Sequence, residues 1–213
     1  MSLLFVGFLL SILSFLGYLL ISLDKKRFIG MNYFLIFLFC MVFFETMAFF
    51  LRKYGVNNGL YNLLSLLEFI ILFLFYGKLS KDRLTKKVTR NFIYIYSAVF
   101  FLSSLNYGMG LFTVKYNTIA PVFGAAFIGV VLLLYLREIL LSEEILNYKS
   151  NIYFWITTGL LLYYLGTMPL TAIFNFMKTG SSFKYLFKIQ QSLTVVMHFC
   201  FIFGLLWNWK KVR

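Results

Sequence analysis

This 213-residue sequence is poor in the side chains that most often carry covalent, metal or general acid–base chemistry: it has two cysteines, one histidine and seven acidic residues. Cys40 and Cys200 both fall inside apolar runs and no loop carries a cysteine. A disulfide framework is therefore excluded, and two isolated thiols make a poor metal site. They read as small packing residues. A single histidine, His198, cannot supply a bis-histidine haem or a His-x-x-x-His zinc motif. No lysine occupies the middle of the last apolar run, where a retinal Schiff base would need one, since Lys188 lies at that run's edge. Phosphate-loop and dinucleotide glycine patterns are absent. No cofactor or metal is expected, and an enzyme is the lesser expectation, resting on Glu68 and His198 as acid and base.

Apolar surface dominates what is present. Hydrophobic residues make up 62% of the chain and aromatics 22%, including 28 Phe and 15 Tyr, against 13% charged. A soluble domain of this size cannot cover so much apolar area, whereas a bilayer removes the need. Seven runs approach the roughly 20 residues that a membrane-crossing helix requires: Leu3–Leu23, Met31–Leu51, Leu60–Gly77, Phe92–Phe112, Thr118–Leu136, Ile152–Ile173 and Ile189–Trp209. None alternates polar and apolar residues as barrel strands do. The first lacks a basic leading region and reads as a span, not a cleaved leader. The pattern predicts an all-α, polytopic membrane protein: residues 1–213 as one seven-helix transmembrane domain.

The net charge of +13 sits in short segments at helix ends, where it reads as topology signal and phospholipid contact, not as a nucleic-acid groove. With the N-terminus outside, the cytoplasmic segments carry fourteen Lys and Arg and the external ones six. The positive-inside rule then predicts N-terminus out, C-terminus cytoplasmic. Trp207 and Trp209, next to Lys210 and Lys211, fit an interfacial anchor.

Two connections stand out. Residues 78–91 form a strongly basic loop in this reading, lying along the anionic leaflet or meeting a partner, and residues 137–151 mix both charges and could extend the fifth helix. Both are expected docking places for a protein partner. Asn175–Lys188 reads as a lid or interfacial helix, and Pro169 predicts a kink near Thr167. Ala125 and Gly129 give a small-xxx-small spacing suited to close packing or oligomerisation. Asn32-Tyr33-Phe34 and Ile152-Tyr153-Phe154 open comparable helices, which allows a parallel 3+1+3 repeat.

Ionisable groups inside a bilayer are costly, on the order of 3 kcal/mol each on insertion scales, so they mark function or buried pairing. Glu45, Glu68 and His198 lie within the runs. Asn62 and Ser65 precede Glu68 at three-residue steps; Gln191, Thr194 and His198 share a helix face; Asn106, Tyr107 and Tyr163 reach the same level. These ten residues are the expected ligand-binding or proton-binding set, lining an outward-facing pocket for a small polar ligand or lipid. The alternative is a hydrogen-bonded packing network.

Asn62-Leu63-Leu64-Ser65-Leu66-Leu67-Glu68-Phe69, the buried Glu45 and the Trp207-Asn208-Trp209-Lys210-Lys211 ending give the chain an architecture that resembles small seven-helix membrane proteins of Bacteroidota, some similar to the membrane sensor portions of histidine kinases. That resemblance implies a bacterial inner membrane and signalling through an effector on another chain. The leading expectation is a receptor-like or accessory module. A proton-coupled transporter and a structural subunit of a membrane complex are the alternatives.

Overall fold

Along the first helix, α1 (Leu3–Ser22), Gly7, Ser11, Ser14, Tyr18 and Ile21 are buried while Phe5, Leu9, Leu13, Leu16 and Leu20 are exposed. Small and hydroxylated residues face in and large aliphatic ones face out. This is the inverse of a water-soluble helix and suits a hydrocarbon surround, where close approach and hydrogen bonding hold helices together. The computed structural model describes residues 3–22, 29–51, 58–107, 116–174 and 181–212, with backbone alone for residues 107, 144, 145, 147, 181–184 and 209–212.

Six further helices follow: α2 (Met31–Leu51), α3 (Asn58–Leu79), α4 (Arg83–Tyr107), α5 (Ile119–Leu140), α6 (Ile152–Ile173) and α7 (Ser181–Val212). Each packs on its chain neighbours and α7 returns to α1, closing a ring; α3 also meets α5, so α4 sits outside that pair. The protein is thus an all-α, polytopic membrane protein built as a seven-helix bundle. Among the described residues, six helices are long and apolar enough to cross a membrane: α1, α2, α3, α5, α6 and the Tyr185–Asn208 part of α7. α4 is not among them over its described length, Arg83–Tyr107, whose first nine residues include four cations.

The ring's interior is filled by aromatic side chains that reach across it. Phe34 of α2 packs on Tyr18 of α1, Phe75 of α3 and Phe201 of α7, with ring centroids 4.9, 5.6 and 5.2 Å apart. Tyrosine hydroxyls finish the crossing. Tyr18 donates to the Phe201 carbonyl at 3.1 Å. The Thr157 hydroxyl donates to the Tyr153 carbonyl at 2.6 Å, which leaves its oxygen to accept from Tyr76 at 2.9 Å. Such bonds satisfy polar groups that hydrocarbon cannot.

Glycines set the closest helix approaches. A Cβ on Gly204 would lie 2.7 Å from Trp155 Cβ, and one on Gly159 would lie 3.0 Å from both Cys200 Cβ and the Met197 carbonyl, so α6 and α7 meet nearly backbone to backbone. Gly124 faces Phe69 of α3 and Gly129 faces Leu165 of α6. The small-residue spacing in α5 is therefore spent inside the bundle and not on an outer oligomer face.

The sequence expectations about connections change at segments 78–91 and 175–188. The basic segment 78–91 is no loop: α3 runs to Leu79, a three-residue turn follows, and α4 begins at Arg83, nine residues before the expected Phe92. The expected end of that helix, residues 108–112, lies outside the described residues. Segment 137–151 extends α5 by one turn, to Leu140, beyond the expected Leu136; a 3-10 helix, Glu143–Ser150, then intervenes before Asn151 caps α6. Residues 181–188 are the start of α7, not a separate lid, and 175–180 lie outside the described residues. Pro169 lies inside a helix that continues to Ile173.

The α3–α4 turn explains the first change. Asp82 accepts from the backbone N–H groups of Leu84 and Thr85 at 3.3 Å and from the Thr85 hydroxyl at 3.1 Å, an N-cap that starts α4 early. Glu138 of α5 grips the same turn, accepting from the Ser80 hydroxyl and the Lys81 N–H, both at 2.6 Å. The Leu84 N–H, then the Thr85 groups and nearby Arg137, hold the Asp82 carboxyl below its usual range.

Two outcomes follow from this packing. Gly204→Leu, pushed against Trp155, should cost about 1–3 kcal/mol and lower the unfolding midpoint in detergent, whereas Gly77→Ala, whose added carbon meets Thr89 at an ordinary 3.6 Å, should not lower it. Because the folded Asp82 carboxyl titrates below its unfolded value of about 3.9, its capping contribution is complete above that pH and is lost as pH falls through the depressed folded value. Protection factors at the Leu84 and Thr85 amides, taken against the intrinsic exchange rate at each pH, should fall on acidification, and Asp82→Asn should abolish that pH dependence of protection.

Candidate functional site

The buried polar groups separate into three places instead of one pocket wall. At the bundle end where α3 and α5 begin and α4 finishes, Asn117 is the hub. Its N–H donates to Asn62 Oδ1 at 2.9 Å, its Nδ2 donates to the Ser103 hydroxyl at 2.8 Å, and its Oδ1 accepts from the Ile119 and Ala120 N–H groups at 3.2 Å. Asn117 therefore caps α5 while tying α3 and α4 to it. Asn62 is spent in this junction. Ser65, one turn deeper, exchanges hydrogen bonds with Tyr96 of α4, whose phenol donates to the Ser65 carbonyl at 3.0 Å.

The second place lies at mid-depth and holds both intramembrane carboxylates. Glu68 stands at the centre of α3 and Glu45 about 6 Å past the middle of α2, from the helical rise of about 1.5 Å per residue. The Tyr164 phenol of α6 donates to Glu68 Oε1. Glu45 lies within electrostatic range of Glu68, and Tyr163 within range of both. Tyr163 also hydrogen-bonds Gln190 of α7. Cys40, Tyr96 and Tyr116 feel the Glu68 charge as well. Four helices thus contribute to one acidic, phenol-lined group, and both carboxylates are only half-buried.

His198 occupies the third place. It is fully buried, with Nδ1 3.2 Å from the Ser14 hydroxyl of α1 and its ring edge-on to Phe201. Nε2 has no hydrogen-bond partner among the described residues. Thr194 faces Gly7 of α1 and donates its hydroxyl to the Gln190 carbonyl at 3.1 Å. The α7 stripe of Thr194 and His198 therefore looks toward α1, while the α3 stripe looks toward α4, α5 and α6. The two expected faces do not oppose each other, and His198 has neither carboxylate among its contacts. Gln191 is half-buried and Asn106 is exposed on α4; the Tyr107 side chain lies outside the described residues.

Sequence reasoning passed over Asn117, Ser103, Ser14 and Glu138. Asn117 was legible from Asn-Thr-Ile-Ala-Pro, a capping residue with proline in the first helical turn, where its missing N–H costs nothing. Ser14 was legible from Gly7, Ser11 and Ser14 falling on one face of an otherwise aliphatic helix. Glu138 carried no signal, because its partners are backbone and hydroxyl groups of a distant turn.

Comparison with protein-family models, curated proteins and solved structures gave no match, so the functional reading rests on this chain's own residues.

The contrast between Asn117 and Asn106 is testable. Asn117→Ala strands buried donors at the head of α5 and should cost about 1–3 kcal/mol, whereas Asn106→Ala, on an exposed face, should stay within about 0.5 kcal/mol. Denaturation in mild detergent, followed by tryptophan fluorescence, measures both.

Proposed function

We propose that this chain is a receptor-like or accessory membrane module in which Glu45 and Glu68, framed by Tyr163, Tyr164 and Gln190, take up a proton or a small cationic ligand. The observation that carries this reading is the pairing of two carboxylates inside the membrane-spanning part of the bundle, with a tyrosine donor from a third helix holding one of them. Two like charges in a poorly polarisable surround are best accommodated by a positive group between them. Because α2, α3, α6 and α7 each supply a residue, occupancy would shift how these helices sit against one another, which a signalling module requires.

The positive-inside count supports an N-terminus outside and a C-terminus in the cytoplasm, and a bacterial inner membrane is what the Bacteroidota resemblance implies. In that orientation the α3–α4 turn and the 3-10 helix face a cytoplasmic effector, in keeping with the resemblance to kinase sensor portions. A 3+1+3 repeat would make α2 and α6, which bear Glu45 and Tyr163–Tyr164, counterparts. Transport is the weaker reading: the hydroxyl and aromatic crossings of Tyr18, Tyr76 and Phe34 fill the ring on the other side of the carboxylates, where a second gate would have to open.

Tryptophan fluorescence of the protein in nanodiscs, recorded through a pH series and on addition of guanidinium or tetramethylammonium, tests the proposal. The wild type should respond and Glu68→Gln should shift the response by about tenfold in cation concentration or one pH unit, with expression unchanged; Glu68→Leu should impair expression too. A response identical in wild type and Glu68→Gln would refute a charge role. Proteoliposomes holding a pH gradient separate a carrier, which dissipates it, from a module, which does not.

A further inference from the structure

The first turns of α4 place charge where it disfavours the helix. Arg83, Lys86 and Lys87 stand at the N-terminal end, with Arg90 a turn further, and no acidic residue occupies the first turn. The N-terminus of a helix carries the positive end of its dipole, so cations there are unfavourable by electrostatics alone. All four are exposed. Two carboxylates are hydrogen-bonded at this turn: Asp82 to the N–H groups of Leu84 and Thr85, Glu138 to the Ser80 hydroxyl and the Lys81 N–H. Asp82 is the carboxylate of this turn and faces four cations, so the face keeps an excess of positive charge.

The same face continues as an apolar strip. Beyond Arg90, at helical steps of three and four, come Tyr94, Ile95, Ala98, Phe101, Leu102 and Leu105, all exposed, Tyr94 and Leu105 at 71%. At about 1.5 Å per residue, Arg90 to Leu105 covers roughly 22 Å, more than the roughly 15 Å of hydrocarbon in one leaflet. The opposite face of α4, with Thr85, Thr89, Tyr96, Ser103 and Ser104, is buried against the bundle. Cations at one end and an acyl-length apolar strip on one exposed helix face match one molecule: an anionic phospholipid, its phosphate at Lys86, Lys87 and Arg90 and its tails along the strip.

We infer that this face of α4 is a binding site for an anionic phospholipid of the surrounding leaflet. Bound lipid compensates the cations and covers the strip. It is independent of the Glu45–Glu68 proposal.

Native mass spectrometry tests it. The protein, extracted from membranes containing equal phosphatidylglycerol and phosphatidylcholine, should retain phosphatidylglycerol preferentially. Each basic side chain at an anionic surface is worth about fivefold, so Lys86→Gln/Lys87→Gln/Arg90→Gln should reduce the preference by at least about tenfold. Lys149→Gln/Lys188→Gln, which removes cations elsewhere, should preserve it. Gln has nearly the helix propensity of Lys and Arg, and an unfolding midpoint unchanged in phosphatidylcholine alone shows that the triple variant folds. Washing the wild type in salt on the order of 1 M should strip the lipid through screening. Equal retention of both lipids by the wild type, or phosphatidylglycerol retention unchanged in the triple variant, would overturn the assignment. The second result is also what a protein-docking or purely topological role for these charges gives.

Discussion

In hydrocarbon, two apolar helices gain nothing from each other that lipid does not already offer, and this constraint shapes the whole bundle. What remains is close approach and the pairing of polar groups. The structure uses both at almost every seam: glycines where α6 meets α7, small and hydroxylated residues where α1 meets α7, and phenols spanning from α1 to α7, α3 to α6 and α4 to α3. Aromatic abundance follows. The ring of helices, with α4 outside the α3–α5 pair, leaves a centre that Phe and Tyr side chains fill.

Seen this way, the carboxylates are not isolated anomalies. Glu68 receives its bond from Tyr164, a member of the same class of crossing phenols that elsewhere find a carbonyl or a hydroxyl. The difference lies in what accepts. Tyr18 ends on a backbone oxygen with no charge to change, whereas Tyr164 ends on a group that can be ionised, with a second carboxylate in range. A structural device common to the bundle has, at one level, been given a chemically responsive end.

Length and apolarity made the helices legible from sequence, because the cost of breaking helical hydrogen bonds in lipid leaves few other solutions. Residues Met31–Leu51 and Ile152–Ile173 match the helices end for end. Polar stretches were not legible in the same way. Arg83–Asn91 and residues 181–188 look like loop by composition but continue as helix, in the first case because Asp82 caps it and Glu138 holds the turn before it. The residues of the mid-depth group were visible through their cost in a membrane, but periodicity names a face without naming what it faces. Thus Thr194 and His198 do share a face, and it looks at Ser14 and Gly7 instead of at α3.

The seam between α1 and α7 joins segments nearly two hundred positions apart, Tyr18 to Phe201 and Ser14 to His198. Paired in the order Gly7 with Thr194, Ser14 with His198 and Tyr18 with Phe201, these helices run parallel. During synthesis, α1 enters the bilayer with its glycine and serine side unmatched and stays so until the seventh helix arrives. Assembly of this protein is therefore a matter of waiting: whatever shields that side of α1 in the interval decides whether the circle closes with α7 or with a stranger.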